Sequence, residues 1–80
     1  MRKSVHSEGL KAFRQVMAEA RDKAGLTQQK LAGRLKKHQS FVAKYEGGER
    51  RIDVLEFITI ARAMGADPVQ LLRNLIRRGA

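Results

Sequence analysis

Apolar residues recur at three- and four-residue steps through most of the chain, which is typical of amphipathic helices. The first set comprises Leu10, Phe13, Met17, Ala20 and Ala24. Ser7 can cap the start of this set, and Gly25 follows it where the left-handed backbone that ends many helices is expected. The pattern predicts a first helix between Ser7 and Gly25.

Two shorter helices follow, separated by only a few residues. Thr27 can accept a hydrogen bond from an amide at the start of the second helix, and the apolar stripe of that helix is Leu31, Ala32 and Leu35. The third helix is expected over about 39–46, with Val42 and Tyr45 facing inward, before Gly47 and Gly48 stop it. Because the connection is so short, the pattern predicts a helix-turn-helix motif over about 27–46.

The last third of the chain contains two further helix starts. Asp53 and Glu56 have the spacing of a capping box, and Asp67 followed by Pro68 places a cap and then a residue suited to the first helical position. Short loops and the lack of strand-like alternation predict an all-α fold, a compact bundle of five helices.

The net charge of the chain indicates what kind of partner it binds. Lys and Arg outnumber Asp and Glu by 17 to 8, a net charge of +9, which favours a polyanionic partner. The excess concentrates around the motif, where only Glu46 and Glu49 oppose Lys30, Arg34, Lys36, Lys37, Lys44, Arg50 and Arg51. We expect one helical domain over 7–78, preceded by a flexible basic N-terminal arm over 1–6.

The sequence gives little support for a metal site or for catalysis. The chain has no cysteine and only two histidines, His6 and His38, so no metal and no cofactor are expected. Ser40, His38 and Glu46 are residue types of a hydrolase triad, but a short exposed helix offers no oxyanion pocket, and we expect no enzyme. The N-terminus lacks the apolar run of a secretory signal behind Arg2 and Lys3, so a cytoplasmic location without a membrane role is expected.

The segment from Leu26 to Pro68 resembles the phage-repressor and Cro-like, or Xre-type, helix-turn-helix family. The likeness rests on several short motifs: Leu-Thr-Gln at 26–28, Leu-Ala at 31–32, Gln-Ser at 39–40, Lys-Tyr-Glu-Gly-Gly at 44–48 and Ala-Met-Gly at 63–65. The resemblance implies a five-helix lambda-repressor-like DNA-binding domain and a dimer on a pseudo-palindromic operator. The implied function is sequence-specific transcriptional regulation, as a repressor of a small operon in a prokaryote or phage.

The resemblance also implies roles for individual residues. The expected base contacts are Gln39, Ser40, Phe41 and Lys44. Gln39 can bond adenine in a bidentate way, and Phe41 either meets a thymine methyl or folds inward. The expected phosphate contacts are Gln28, Lys36, Lys37, Arg50 and Arg51.

This chain departs from the family pattern at two positions. Lys36 stands in the turn where the family commonly has glycine, so a left-handed lysine would carry strain of about 1 kcal/mol. His38 stands where the family often has Ser or Pro, so the cap of the third helix is expected to be weaker.

The fifth helix has apolar residues that either close the core or form a dimer surface, namely Leu71, Leu72, Leu75 and Ile76. We predict a homodimer from them. An alternative function of a different class is an antitoxin-type interaction protein, which neutralises a toxin partner and autoregulates its operon. General RNA binding and a membrane-surface role for the fifth helix are weaker interpretations.

Overall fold

The computed structural model describes residues 8–79, and this part of the chain is helical with no β-strand. Its helices are α1 (Glu8–Lys23), α2 (Gln28–Leu35), α3 (Gln39–Gly47), α4 (Val54–Ala63) and α5 (Pro68–Arg77). The predicted all-α architecture of five helices is therefore confirmed. The expected arm over 1–6 and the expected cap at Ser7 lie outside the described residues.

The caps predicted from local sequence are confirmed. The Thr27 hydroxyl accepts a hydrogen bond from the Lys30 amide at 3.0 Å. Asp53 and Glu56 form a complete capping box, in which each side chain accepts the other residue's backbone N–H. The Asp67 carboxylate accepts from the Val69 amide at 2.9 Å, with Pro68 at the first turn of α5. These bonds satisfy amides that have no partner inside their own helices.

The helix ends follow the predicted glycines with one small difference. Gly25 has a positive φ of 74°, as expected for the residue that ends α1. The third helix includes Gly47 and ends at Gly48, whose φ is 87°. One glycine of the pair therefore supplies the left-handed turn, and the other continues the helix.

The core lies where α1, α2, α3 and α4 meet. Its most deeply buried large side chains are Val16, Met17, Leu31, Val42, Tyr45 and Ile60. The third helix packs against α1 and α2, while α5 packs against α1 and α4. As a result, one side of α3 is fixed by Val42 and Tyr45, and its other side faces solvent.

Lys36 adopts the left-handed backbone expected from its position, with φ 56° and ψ 43°. Its amide donates to the Gly33 carbonyl at 3.1 Å, and the Lys37 amide donates to the Ala32 carbonyl at 2.9 Å. These bonds end α2 and direct the chain into α3. A side chain at this φ is strained, so the turn is kept at a cost in stability.

Replacing this lysine by glycine should therefore stabilise the fold. We expect Lys36→Gly to raise the free energy of unfolding by about 1 kcal/mol, because glycine adopts this backbone without steric cost. Urea denaturation measures the change. Lys36→Ala is the matched control, since it removes the same charge but keeps the Cβ; an equal gain from both variants would show that charge, not backbone strain, is responsible.

Candidate nucleic-acid interface

The solvent-facing side of α3 presents polar side chains in both its first and its last turn. Gln39 and Lys44 are exposed, and Ser40 is half-buried. Ala43, one turn after Gln39, is also exposed and adds a methyl group. We call Gln39, Ser40, Ala43 and Lys44 the reading face, because they project from one short helix away from the core.

His38 caps this helix directly. Its Nδ1 atom accepts the Ser40 amide at 3.2 Å and lies 3.1 Å from the Ser40 hydroxyl oxygen. The imidazole therefore serves as the N-cap of α3, and it also holds the Ser40 side chain. The start of α3 is therefore held in place by the contact between His38, its N-cap, and Ser40.

Phe41 takes the inward position that the sequence left open. Its ring lies edge-on to Tyr45, with ring centroids 5.5 Å apart. The Lys37 ammonium is 5.3 Å from the centroid of Phe41, and the Arg50 guanidinium is 4.8 Å from it. These distances are those of cation–π contacts. Phe41 thus supports two predicted phosphate contacts, and its own base contact stays a prediction.

A charged network joins the start of α2 to α3 behind the reading face. Arg21 of α1 pairs with Glu46 through two hydrogen bonds of 2.7 and 3.0 Å. The Gln28 amide group donates to Glu46 at 3.0 Å. This bond holds the Gln28 side chain against the carboxylate of Glu46. The phosphate contact expected of Gln28 stays a prediction.

The predicted cationic phosphate contacts form two clusters at the two ends of α3. Lys36 and Lys37 are exposed in the turn before the helix, and Arg50 and Arg51 are exposed in the loop after it. Arg50 makes a two-pronged ion pair with Glu56, at 3.2 and 3.0 Å. Because of this pair and the backbone N–H of the capping box, the pKa of Glu56 is lowered.

The remaining charges of the motif show why its positive excess is directed outward. Glu46 is paired with Arg21 at the back of α3, so it does not reduce the positive charge of the front. Neither α2 nor α3 has an acidic side chain in its first turn, where an acid would repel a phosphate. Arg34 is used structurally, since it donates to the Ala63 carbonyl at the end of α4.

The predicted dimer residues of α5 fall into two groups. Leu71 packs against the core, and Leu75 lines a cleft beside α1. Leu72 and Ile76 are 46% and 60% exposed, and Val69 on the same helix is 56% exposed. The solvent-facing apolar stripe is therefore Val69, Leu72 and Ile76. Leu71 and Leu75 are half-buried, and the dimer role of the four predicted residues stays a prediction.

Residues 8–79 lack a membrane-spanning helix and a cluster of metal ligands. No helix there is long and apolar enough to cross a membrane. The same residues contain no group of three His, Cys, Asp or Glu side chains placed to hold a metal ion.

Sequence reasoning missed several residues that shape the interface. Arg21 was not singled out, although it follows the apolar Ala20 at the edge of the buried face of α1, where a long side chain can reach a neighbouring helix. Glu56 was recognised as a cap but not as the partner of Arg50. Ala43 carries no polar group, and only its exposure on α3 brings it into the reading face.

Comparisons with known proteins agree with this geometry. Residues 17–71 match the helix-turn-helix family model HTH_3. A solved structure described as an XRE-family like protein from Pseudomonas syringae pv. tomato str. DC3000 is 43% identical, with a TM-score of 0.86; the match covers 96% of this chain and 94% of that chain. The clp gene regulator ClgR from C. glutamicum is 17% identical, with a TM-score of 0.81 over 94% of this chain and 97% of that one, and so shares the fold. The comparison with curated proteins gives no match.

The fold and the exposed α3 define a helix-turn-helix domain. The family match over more than half of the chain and the 43% identical XRE-family relative establish membership. The chain belongs to the XRE-type helix-turn-helix family, and it is a DNA-binding transcriptional regulator.

Proposed function

We propose that the protein is a sequence-specific repressor, which binds a pseudo-palindromic operator as a homodimer and places α3 in the major groove. The observation that carries this proposal is the reading face, which is exposed between two cationic clusters and backed by a fixed core. A helix of this size fits the major groove of B-DNA. Bound at an operator, the dimer blocks access to the promoter; the regulator needs no cofactor and acts in the cytoplasm.

The reading face supplies chemistry for base recognition. The Gln39 amide has one donor group and one acceptor group, which match N6 and N7 of adenine. The methyl of Ala43 can contact the methyl group of thymine, and the Lys44 ammonium can donate to guanine or to a phosphate. The Ser40 hydroxyl, held by His38, can bond a base edge or the backbone.

The cationic clusters supply affinity that does not depend on sequence. Lys36 and Lys37 would contact phosphates on one side of the groove, and Arg50 and Arg51 would do so on the other. Gln28 would contribute through the N-terminal backbone amides of α2, since its side chain donates to Glu46. Each phosphate contact releases counterions, so affinity should fall steeply with added salt.

The apolar stripe of α5 supports the homodimer. Val69, Leu72 and Ile76 follow one another at helical spacing and are all exposed. A two-fold axis beside this stripe would bury the same residues from both copies. Two α3 helices could then reach half-sites separated by one turn of DNA, about 34 Å.

Base reading and phosphate binding can be separated by substitution. Duplexes are first selected from a random library, and a two-fold motif is expected among those that bind. Gln39→Ala should then reduce discrimination at one base pair by about tenfold, because a bidentate contact provides about 1–3 kcal/mol of selectivity. Arg51→Ala should weaken all duplexes alike and reduce the slope of log affinity against log salt by about 1. Fluorescence anisotropy over a salt series measures both. Equal losses from the two variants on every duplex would contradict the assignment.

The proposed dimer surface can be tested without disturbing the core. Ile76→Asp should abolish the dimer, because it places a charge on a solvent-exposed apolar stripe that dimerisation would desolvate. Sedimentation equilibrium with and without operator DNA measures the assembly. Val54→Asp is the matched control, since Val54 is a comparably exposed apolar residue on α4. A wild-type protein that stays monomeric even on operator DNA would contradict the homodimer.

A further inference from the structure

A cleft of about 420 Å³ lies between α1, α5 and the loop that follows α3. This volume falls within the range of small-molecule sites in proteins, about 300–1,000 Å³. Apolar side chains dominate its walls, namely Leu10, Phe13, Ile52 and Leu75. The cleft therefore offers apolar surface to a ligand on the side of the domain where α1 and α5 meet.

Three arginines line the cleft, and one of them, Arg50, is already paired with Glu56. Arg14 lines it from α1, and Arg50 and Arg51 line it from the loop, while none of the described lining residues is acidic. The Arg14 guanidinium rests directly on Gly48, where an added Cβ would lie 2.0 Å from its Nη1 atom. Glycine at this position thus serves both the left-handed turn and the placement of Arg14.

Tyr45 also lines the cleft and has an unusual environment. Its side chain is buried, at 1% exposure, and its hydroxyl has no hydrogen-bond partner within the described part of the chain. Burial raises the pKa of the phenol well above its ordinary value, so the group stays neutral and keeps its proton. A buried hydroxyl without a partner is costly, and few native polar groups are left in this state.

We propose that this cleft binds a small amphipathic organic anion, an aliphatic or aromatic carboxylate with an apolar body. The apolar body would lie against Leu10, Phe13 and Leu75. The carboxylate would pair with Arg14. A small displacement of the lining side chains on binding would let it accept the hydrogen bond that the buried Tyr45 hydroxyl leaves unmade. The second groove, between α1 and α5, has both acidic and basic lining residues, including Glu19, Lys23 and Asp67, and so lacks this selectivity for an anion.

Occupancy of the cleft would also regulate DNA binding, a consequence that rests on the proposed function. Arg50 and Arg51 belong both to the cleft and to the cationic cluster after α3. A carboxylate in the cleft would compete with Glu56 for the Arg50 guanidinium and neutralise part of this cluster. The protein would then bind its operator less tightly, which makes the carboxylate an inducer.

Ligand binding is tested first on the full chain without DNA. Octanoate is titrated while the methyl resonances of Leu10 and Leu75 are followed by NMR; 1-octanol serves as the uncharged probe of equal length. The emission of Tyr45, which is the only tyrosine in a chain without tryptophan, gives a second readout. We expect saturable octanoate binding that is at least about tenfold tighter than that of 1-octanol, since a hydrogen bond to a charged group supports such a difference.

Substitutions then locate the site. Arg14→Gln should weaken octanoate by about tenfold without changing 1-octanol. Lys23→Gln is the matched control, because it removes a cation from the second groove. Tyr45→Phe should raise the midpoint of thermal unfolding, because it removes the unpaired hydroxyl, and yet weaken octanoate. A tyrosine that only fills the core would give the first effect without the second.

The outcomes distinguish the cleft from the proposed function. Equal binding of octanoate and 1-octanol, or equal losses from Arg14→Gln and Lys23→Gln, would overturn the anion site. Octanoate should raise the Kd for operator DNA in wild type but not in Arg14→Gln; an unchanged Kd would overturn the regulatory role. Absence of duplex binding under all conditions would overturn the proposed function and leave the ligand titration intact.

Discussion

The ion pair between Arg21 and Glu46 is the interaction on which the proposed DNA-binding surface depends. It is a two-pronged contact between largely buried side chains, and Arg21 also donates to the Leu26 carbonyl at 2.8 Å. Gln28, the first residue of α2, donates to the same carboxylate. Glu46 of α3 is therefore bonded both to α1 and to the start of α2. The hydrogen bonds that Arg21 donates to Glu46 raise the pKa of Arg21, as expected for a strong charge-assisted contact.

This network determines which side of α3 is available. Glu46 follows Tyr45 in α3, so the ion pair and the buried ring hold the same end of the helix from the inside. The side chains of Gln39 and Lys44 consequently lie on the solvent-exposed side of α3. A short helix has little stability of its own, and the orientation of the reading face is a property of the packed domain, not of α3 alone. The Phe41 ring adds to this by supporting Lys37 and Arg50 at the two ends of the helix.

The features that the sequence predicted well are local ones. Thr27, Asp53 and Asp67 cap their helices because each needs only an amide two or three residues further on, and Lys36 was expected in left-handed backbone because of its place in the turn. Contacts across the fold could not be predicted in this way. Periodicity placed both Leu71 and Leu72 on the apolar side of α5, since adjacent positions differ in direction by less than a third of a turn. Which of them met the core depended on the angle at which α5 packs. The pairing of Arg21 with Glu46 likewise could not be predicted from the sequence, because it depends on how three helices pack together.

The most direct test of this account is the DNA selectivity of Glu46→Gln, compared with Glu49→Gln, which removes an exposed acid from the loop after α3. Loss of the ion pair should lower the free energy of unfolding by about 2 kcal/mol. At a temperature where both variants are folded, the ratio of affinities for selected and scrambled duplexes should fall toward one in Glu46→Gln only. Affinity for the scrambled duplex should persist, because the cationic clusters remain. Selectivity equal to that of Glu49→Gln, despite the lost ion pair, would contradict the claim that this pair orients the reading helix.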